Sequence, residues 1–345
     1  MEPLAVTACG MATGVGLSAA ATCAALRCAI DGFRETRFMV DGEWLLGCPV
    51  PLPDGVRGRG RLMQMAILAL EDCIAALPSA PDPRTPILLC LSETPRLHGG
   101  GASDADLLAE LRSIVGLAVD PAVSSHVLRA GRLGAARAIA HARSLLAQGH
   151  RTVIVVGVDS LLTANAIAHY EKQGRLLGES AMDGFIPGEA AGAVALTMAA
   201  AVHGQDALLC LGSGFAEEEA PLGSGKPLRA SGLAQAIKAA LADAGCTFAD
   251  IDYRMTDING EHYAFKEAAL ALLRTMRIRK EEMELWHPAD CIGDVGAALG
   301  PIVLGAAFFA AKKDYAPGPT VLCHFASEGP QRAALICRYQ KDCHG

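Results

Sequence analysis

The sequence predicts an α/β protein made of two similar halves, with parallel sheets covered by helices. Three observations carry this. Apolar, β-branched runs alternate with helical stretches along the chain, as expected for strands joined by crossover helices. A seven-residue pattern occurs twice, as Gly131-Arg132-Leu133-Gly134-Ala135-Ala136-Arg137 and Gly293-Asp294-Val295-Gly296-Ala297-Ala298-Leu299. Each copy opens an Ala-rich helical stretch that leads into a short strand run, Thr152–Val156 or Thr320–Cys323. The second half repeats the element order of the first, and so long a repeat means duplication of a half-domain, not a solenoid. The composition, 51% apolar but only 5% aromatic, suits small-residue helices packed on a sheet.

Taken in order, Leu4–Thr7 reads as a strand and Gly10–Gly16 as a glycine-rich turn before a small-residue helix, Leu17–Cys28. Val40–Val56 holds several Pro and Gly and alternates weakly, so it reads as loop with strand fragments. Arg61–Leu77 has apolar residues at helical spacing and stops before Pro78. Pro86–Leu91 is a buried strand, and Ser103–Val115 a helix whose acidic first turn complements the helix dipole. The first glycine-repeat helix and its strand follow, then the segment Asp159–Ser180, a turn over Asp183–Glu189 and a strand over Ala191–Met198. The first half is thus 1–205 and the second 206–345. The second contains a strand over Ala207–Leu211, a loop with Glu217–Glu219 read as solvated, and a helix over Leu233–Ala244 closed by Gly245. It continues with strand Ile251–Thr256, helix Tyr263–Met276, the second glycine-repeat helix, and strands Thr320–Cys323 and Ala333–Arg338.

Several function classes are excluded by this reading. A net charge of −7, with basic residues only in pairs and a short cluster at Arg277–Lys280, leaves no footprint for nucleic acid. The most apolar run, Pro301–Ala311, is too short to span a bilayer and is closed by Lys312-Lys313. The N-terminus enters a strand without a basic region and apolar signal core. The 12 cysteines are scattered without CxxC spacing, which fits reduced, buried thiols in a cytoplasmic protein. No metal-ligand spacing or phosphate-binding loop is present; Cys343-His344 lies in a tail too short for a metal site, and Gly223–Lys226 lacks the spacing of a P-loop. No cofactor is expected.

The opening Val6–Gly16 is similar to the N-terminal strand and turn of the thiolase-like superfamily, in its β-ketoacyl-acyl-carrier-protein synthase branch. Met182–Gly192 resembles that branch's D-G-F-x-x-G-E-G-A signature, the most specific match, and Gly293–Ala298 resembles its G-H-x-x-G-A-A-G motif. The resemblance runs nearly end to end. It implies a five-layered α-β-α-β-α architecture with pseudo-two-fold halves, usually dimerised.

The chemistry the resemblance implies is missing. The family's acylated cysteine, activated at a helix N-terminus, corresponds to Arg132, and no cysteine lies between Cys90 and Cys210. Its two histidines correspond to Asn259 and Asp294, and its lysine to Ala289. The glycine-rich gate reads Phe325-Ala326-Ser327-Glu328-Gly329. Asparagine cannot shuttle a proton near neutrality, and aspartate repels the carboxylate a histidine would polarise. The site is therefore expected to be dead for condensation.

Each remaining residue has competing readings. Arg132 either salt-bridges Asp294 or Glu189 as a structural plug, which buried charges favour, or binds a phosphopantetheine or acyl carboxylate. Cys291 is either a displaced nucleophile or, the favoured reading, a small buried thiol beside a helix start. His262 is placed in the first turn of an outer helix, Glu267 is expected to tie down a loop, and His287 to join an aromatic cluster with Trp286.

The leading expectation is a non-enzymatic partner, scaffold or adaptor, forming a homodimer or a heterodimer. Within the family, some degenerate paralogues pair with an active synthase, and others, encoded beside secretion effectors, are candidates for loading adaptors or chaperones. Acyl carrier protein is a further partner the resemblance allows. The alternatives are an active acyltransferase of the 3-oxoacyl-ACP synthase type using Cys291 or another residue in a rearranged site, and a homodimeric acyl-binding module that holds a carrier-bound chain without reacting. The brief spacing between Asp159 and Asp183 implies shortened loops over any acyl tunnel.

Overall fold

The predicted alternation of elements is realised in the computed structural model, which describes residues 2–94, 103–119, 125–179, 181–202 and 204–341. Cys343 and His344 lie outside these residues. The first half runs β1 (Leu4–Ala12), α1 (Ala19–Arg27), β2 (Arg34–Val40), β3 (Glu43–Gly47), α2 (Gly58–Ala75), β4 (Ile87–Leu91), α3 (Asp104–Ile114), β5 (His126–Arg129), α4 (Gly134–Ala147), β6 (Val153–Ser160), α5 (Ala164–Lys172) and β7 (Glu189–Met198). The second runs β8 (Ala207–Glu217), α6 (Ser231–Ala244), β9 (Tyr253–Thr256), α7 (His262–Thr275), β10 (Leu285–Trp286), α8 (Ala289–Ile292), α9 (Leu299–Lys312), β11 (Thr320–Ala326) and β12 (Gln331–Gln340).

Strand order is β10-β9-β11-β12-β8-β1-β7-β6-β4-β5. Two five-stranded sheets meet edge to edge only at Leu4↔Cys210, Ala5↔Leu209 and Val6↔Leu208, between antiparallel β1 and β8. Each half uses the same plan: its first strand and its last are antiparallel, as are its last and second-last, and the outer three strands are parallel. The sheets are thus mixed and not purely parallel. Residues 327–330, which join β11 to β12, are too few for the crossover that a parallel pair needs.

Helices α4 and α9 lie between the sheets, α2 and α3 cover the first, and α6 and α7 the second, which gives five layers. Three apolar clusters fill the interfaces: Val6, Ile139, Val303 and Leu335 in the middle, Leu70, Leu89 and Ile154 under α2, and Ile237, Leu322 and Ile336 under α6. Because α9 touches strands of both sheets, its residues from Leu299 to Val303 are all buried. That burial explains an apolar run with no polar face, which a surface helix would carry. No helix among the described residues is long and apolar enough to cross a membrane.

Two local expectations are corrected. Residues 40–56 include half of a hairpin, β2 with β3, turning at Asp41-Gly42, where both residues have positive φ (+53° and +89°). Glu218 is not solvated. It is buried, and its carboxylate accepts the backbone N–H of Gly232 at 2.8 Å, at the start of α6.

Candidate functional site

The two glycine repeats bring their turns together. Gly131–Leu133 and Gly296–Ala298 each form a short 3₁₀ turn leading into α4 and α9, and the turns touch. Gly131 and Gly293 need φ of +51° and +68°. A side chain at Gly293 would also come within 2.5 Å of the Ile186 carbonyl, so glycine is required there on two counts. This packing fixes Asp294 in the backbone: its N–H donates to Ile186 O at 2.9 Å, and its carbonyl accepts Gly188 N–H at 2.8 Å.

Arg132, Asn259 and Asp294, from three separate stretches of chain, converge. The Arg132 guanidinium forms an ion pair with the Asp294 carboxylate and lies 3.6 Å from Glu328 Oε1. Asp294 also accepts Asn259 Nδ2 at 3.0 Å and Gly296 N–H at 3.0 Å. The same Asn259 amide donates to Glu261 Oε2 at 2.9 Å. Glu261 in turn receives Arg175 in a two-pronged contact, 2.7 Å on each side, and Arg175 reaches Glu328 Oε2 at 2.6 Å. Arg175 is held by the faces of Tyr170 and Phe185, 5.2 and 5.5 Å from the ring centres.

The electrostatics follow from this alternation. Burial alone would push the Asp294 carboxyl up, but Arg132 and the Asn259 and Gly296 donors outweigh it and hold it below the usual carboxylate range. Burial likewise disfavours the charged forms of Arg132 and Glu328, and their opposite neighbours outweigh it. Asp257, buried close by and accepting Ala326 N–H at 2.6 Å, is pushed up to about 6 by burial, with Arg132 opposing. A cavity of about 340 Å³ opens onto Arg132, Asp294, Glu328, Tyr170 and His169. Arg132, Asp294 and Glu328 are the members of the ion-pair network that line it.

Glu189 does not join Arg132. It is buried and takes Arg61, the Val50 N–H at 3.0 Å and the Ser160 hydroxyl at 2.8 Å. Glu267 pairs with Arg332 at 2.8 and 3.0 Å, and Arg332 also donates to the Gly329 carbonyl at 2.8 Å, so the pair holds the turn that carries Glu328. Burial pushes the Glu267 carboxyl up to about 7, against the pull of Arg332. Cys291 faces a different cavity, and burial pushes its thiol up to about 11. His262 begins α7 and is exposed, and His287 stacks edge-on against Phe265 at 5.5 Å. Arg175, Tyr170 and His169 were not singled out by sequence reasoning. They sit on α5 and the loop after it, where no motif marks them.

No protein-family model matches the sequence, and no curated protein does. Solved structures match by fold. The oxazolomycin ketosynthase domain of Streptomyces albus superposes with a TM-score of 0.76 at 15% identity, over 98% of this chain and 75% of that one. A chain in the complex of a type II PKS acyl-carrier protein with its ketosynthase gives 0.77 at 15% identity, over 98% and 99%. The ishigamide ketosynthase/chain length factor gives 0.71 at 18% identity, over 98% and 99%. The chain therefore has the thiolase-like ketosynthase fold.

Proposed function

We propose that this protein is a ketosynthase-fold partner or scaffold without condensing activity. One observation supports the reading: Arg132, Asn259 and Asp294, which the resemblance matches to a thiol and two imidazoles, are joined in an ion pair tied through Asn259 to Glu261. Condensation needs a nucleophile to take the acyl chain and donors to polarise the carboxylate that leaves as carbon dioxide. Arg132 has no lone pair to attack with, and its charge is already spent on Asp294. The Asp294 carboxylate repels an incoming carboxylate, and the Asn259 amide donates both ways along the lattice. Cys291 lines another cavity and is protonated at neutral pH.

A ketosynthase fold freed of catalysis retains a large surface for another protein, either an active synthase or a secreted effector. Co-expression with each class, followed by size-exclusion of the complex, separates the two. The central test is intact-mass measurement after incubation with an acyl-thioester such as octanoyl-CoA. The expected result is no stoichiometric mass gain. An octanoyl adduct mapped to any residue of the chain would restore the acyltransferase reading.

A further inference from the structure

A second cavity, of about 470 Å³, lies between α1, β10, α8 and α9, and of the candidate site residues discussed above only His287 and Cys291 line it. Its volume is within the roughly 300–1,000 Å³ typical of small-molecule sites. The buried part of its lining is Cys23, Met255, Pro288, Cys291 and Ala306. Burial raises both thiols, Cys291 to about 11 and Cys23 further, so both are neutral and act as small apolar groups, not as nucleophiles. Trp286 and Tyr315, stacked at 6.3 Å with planes 23° apart, add an aromatic wall.

Charge at the mouth is sorted. Glu284 accepts the Trp286 indole N–H at 2.6 Å, and Asp290 lies 3.0 Å from His287 Nδ1, so each carboxylate is committed to a neighbour on its own segment. Arg27 is exposed and sits over the Tyr315 ring, 4.7 Å from its centre, and no carboxylate pairs with it among the described residues. A neutral floor, an aromatic wall and one fixed, uncommitted guanidinium match a molecule with an apolar body and a single negative end. We propose that this cavity binds a small amphipathic carboxylate, with its aliphatic body on the Cys23–Met255–Ala306 floor and its carboxylate on Arg27.

The chain provides its own reporter, since Trp44 and Trp286 are its only tryptophans. Trp44 is exposed on the β2–β3 hairpin, so Trp44→Phe leaves Trp286 as the single emitter. Emission is titrated below micellar concentrations with decanoate, decanol and decyltrimethylammonium. Decanoate should give a saturable change, bind more tightly than decanol, and weaken at least tenfold in the Arg27→Ala variant, where decanol should not change. Absence of saturation, equal decanoate affinity without Arg27, or tighter binding of the ammonium compound would each overturn the proposal. Ala306→Phe fills the floor and should abolish binding if it folds. Unchanged binding in a folded Ala306→Phe protein places the ligand elsewhere and also overturns it. If that variant does not fold, the Arg27→Ala comparison decides alone.

Discussion

Asp294 is a buried carboxylate whose oxygens take donors from a guanidinium, an amide and a backbone N–H. A pair of this kind is costly to break and cheap to remove whole, because breaking it strands one charge away from water. Asp294→Asn keeps an acceptor for Gly296 but leaves Arg132 with only the more distant Glu328, and should cost about 3 kcal/mol. Arg132→Met should cost a similar amount. The double variant should lose at least about 1.5 kcal/mol less than the sum, as for residues in one network. Urea unfolding of the four proteins measures this, and additive losses would mean that the two charges do not interact. The pair was legible in the sequence because the glycine repeat placed both residues at equivalent helix starts. Arg175 was not, because it comes from the loop after α5, whose path no periodicity fixes. Glu218 was misread for a related reason: three consecutive glutamates look solvated, and only the incoming start of α6 shows that the middle one caps a helix.

Elements were easiest to read where one physical constraint dominated. The Ala-rich stretches of α4 and α9 announced helices that pack closely, and the structure shows how closely: a Cβ added at Gly300 would lie 2.5 Å from that of Ala135 on α4. Both positions are on helices locked between two sheets, so neither can yield cheaply. Gly300→Ala should therefore destabilise by about 2 kcal/mol, whereas Gly60→Ala on α2, where nothing lies within 4 Å, should be neutral or gain a few tenths of a kcal/mol. Thermal melts of the two variants make the comparison, and an unchanged midpoint for Gly300→Ala would mean that the central helices are not in contact there. The β2–β3 hairpin was missed although its signal was present. Asp41-Gly42 is a favoured two-residue hairpin turn, since both positions need positive φ. The weak alternation around it obscured the strands because β2 and β3 form a separate sheet, away from the main core.

At the scale of the molecule, duplication was visible in the sequence, but the mixed sheets were not. A helix–strand alternation suggests parallel crossovers, and only the spatial order shows that each half closes with an antiparallel strand beside its first. That closure uses up the inner edges and leaves β5 and β10 as the outer ones. Trp286 of β10 packs against Tyr253 and Tyr315. The β5 strand, His126–Arg129, pairs with β4, and among the described residues no strand meets the row of backbone donors and acceptors on its far side. Such an edge is a template for another strand, and proteins cover or pair it. A second copy related by a two-fold axis would supply an antiparallel partner and extend the sheet across the interface. Light scattering coupled to size exclusion should give about twice 35.8 kDa at micromolar concentration. Val127→Pro, which removes an amide from the edge strand, should shift that mass toward the monomer. A wild-type mass of one chain at every concentration tested would refute edge pairing between copies and leave β5 to a different partner.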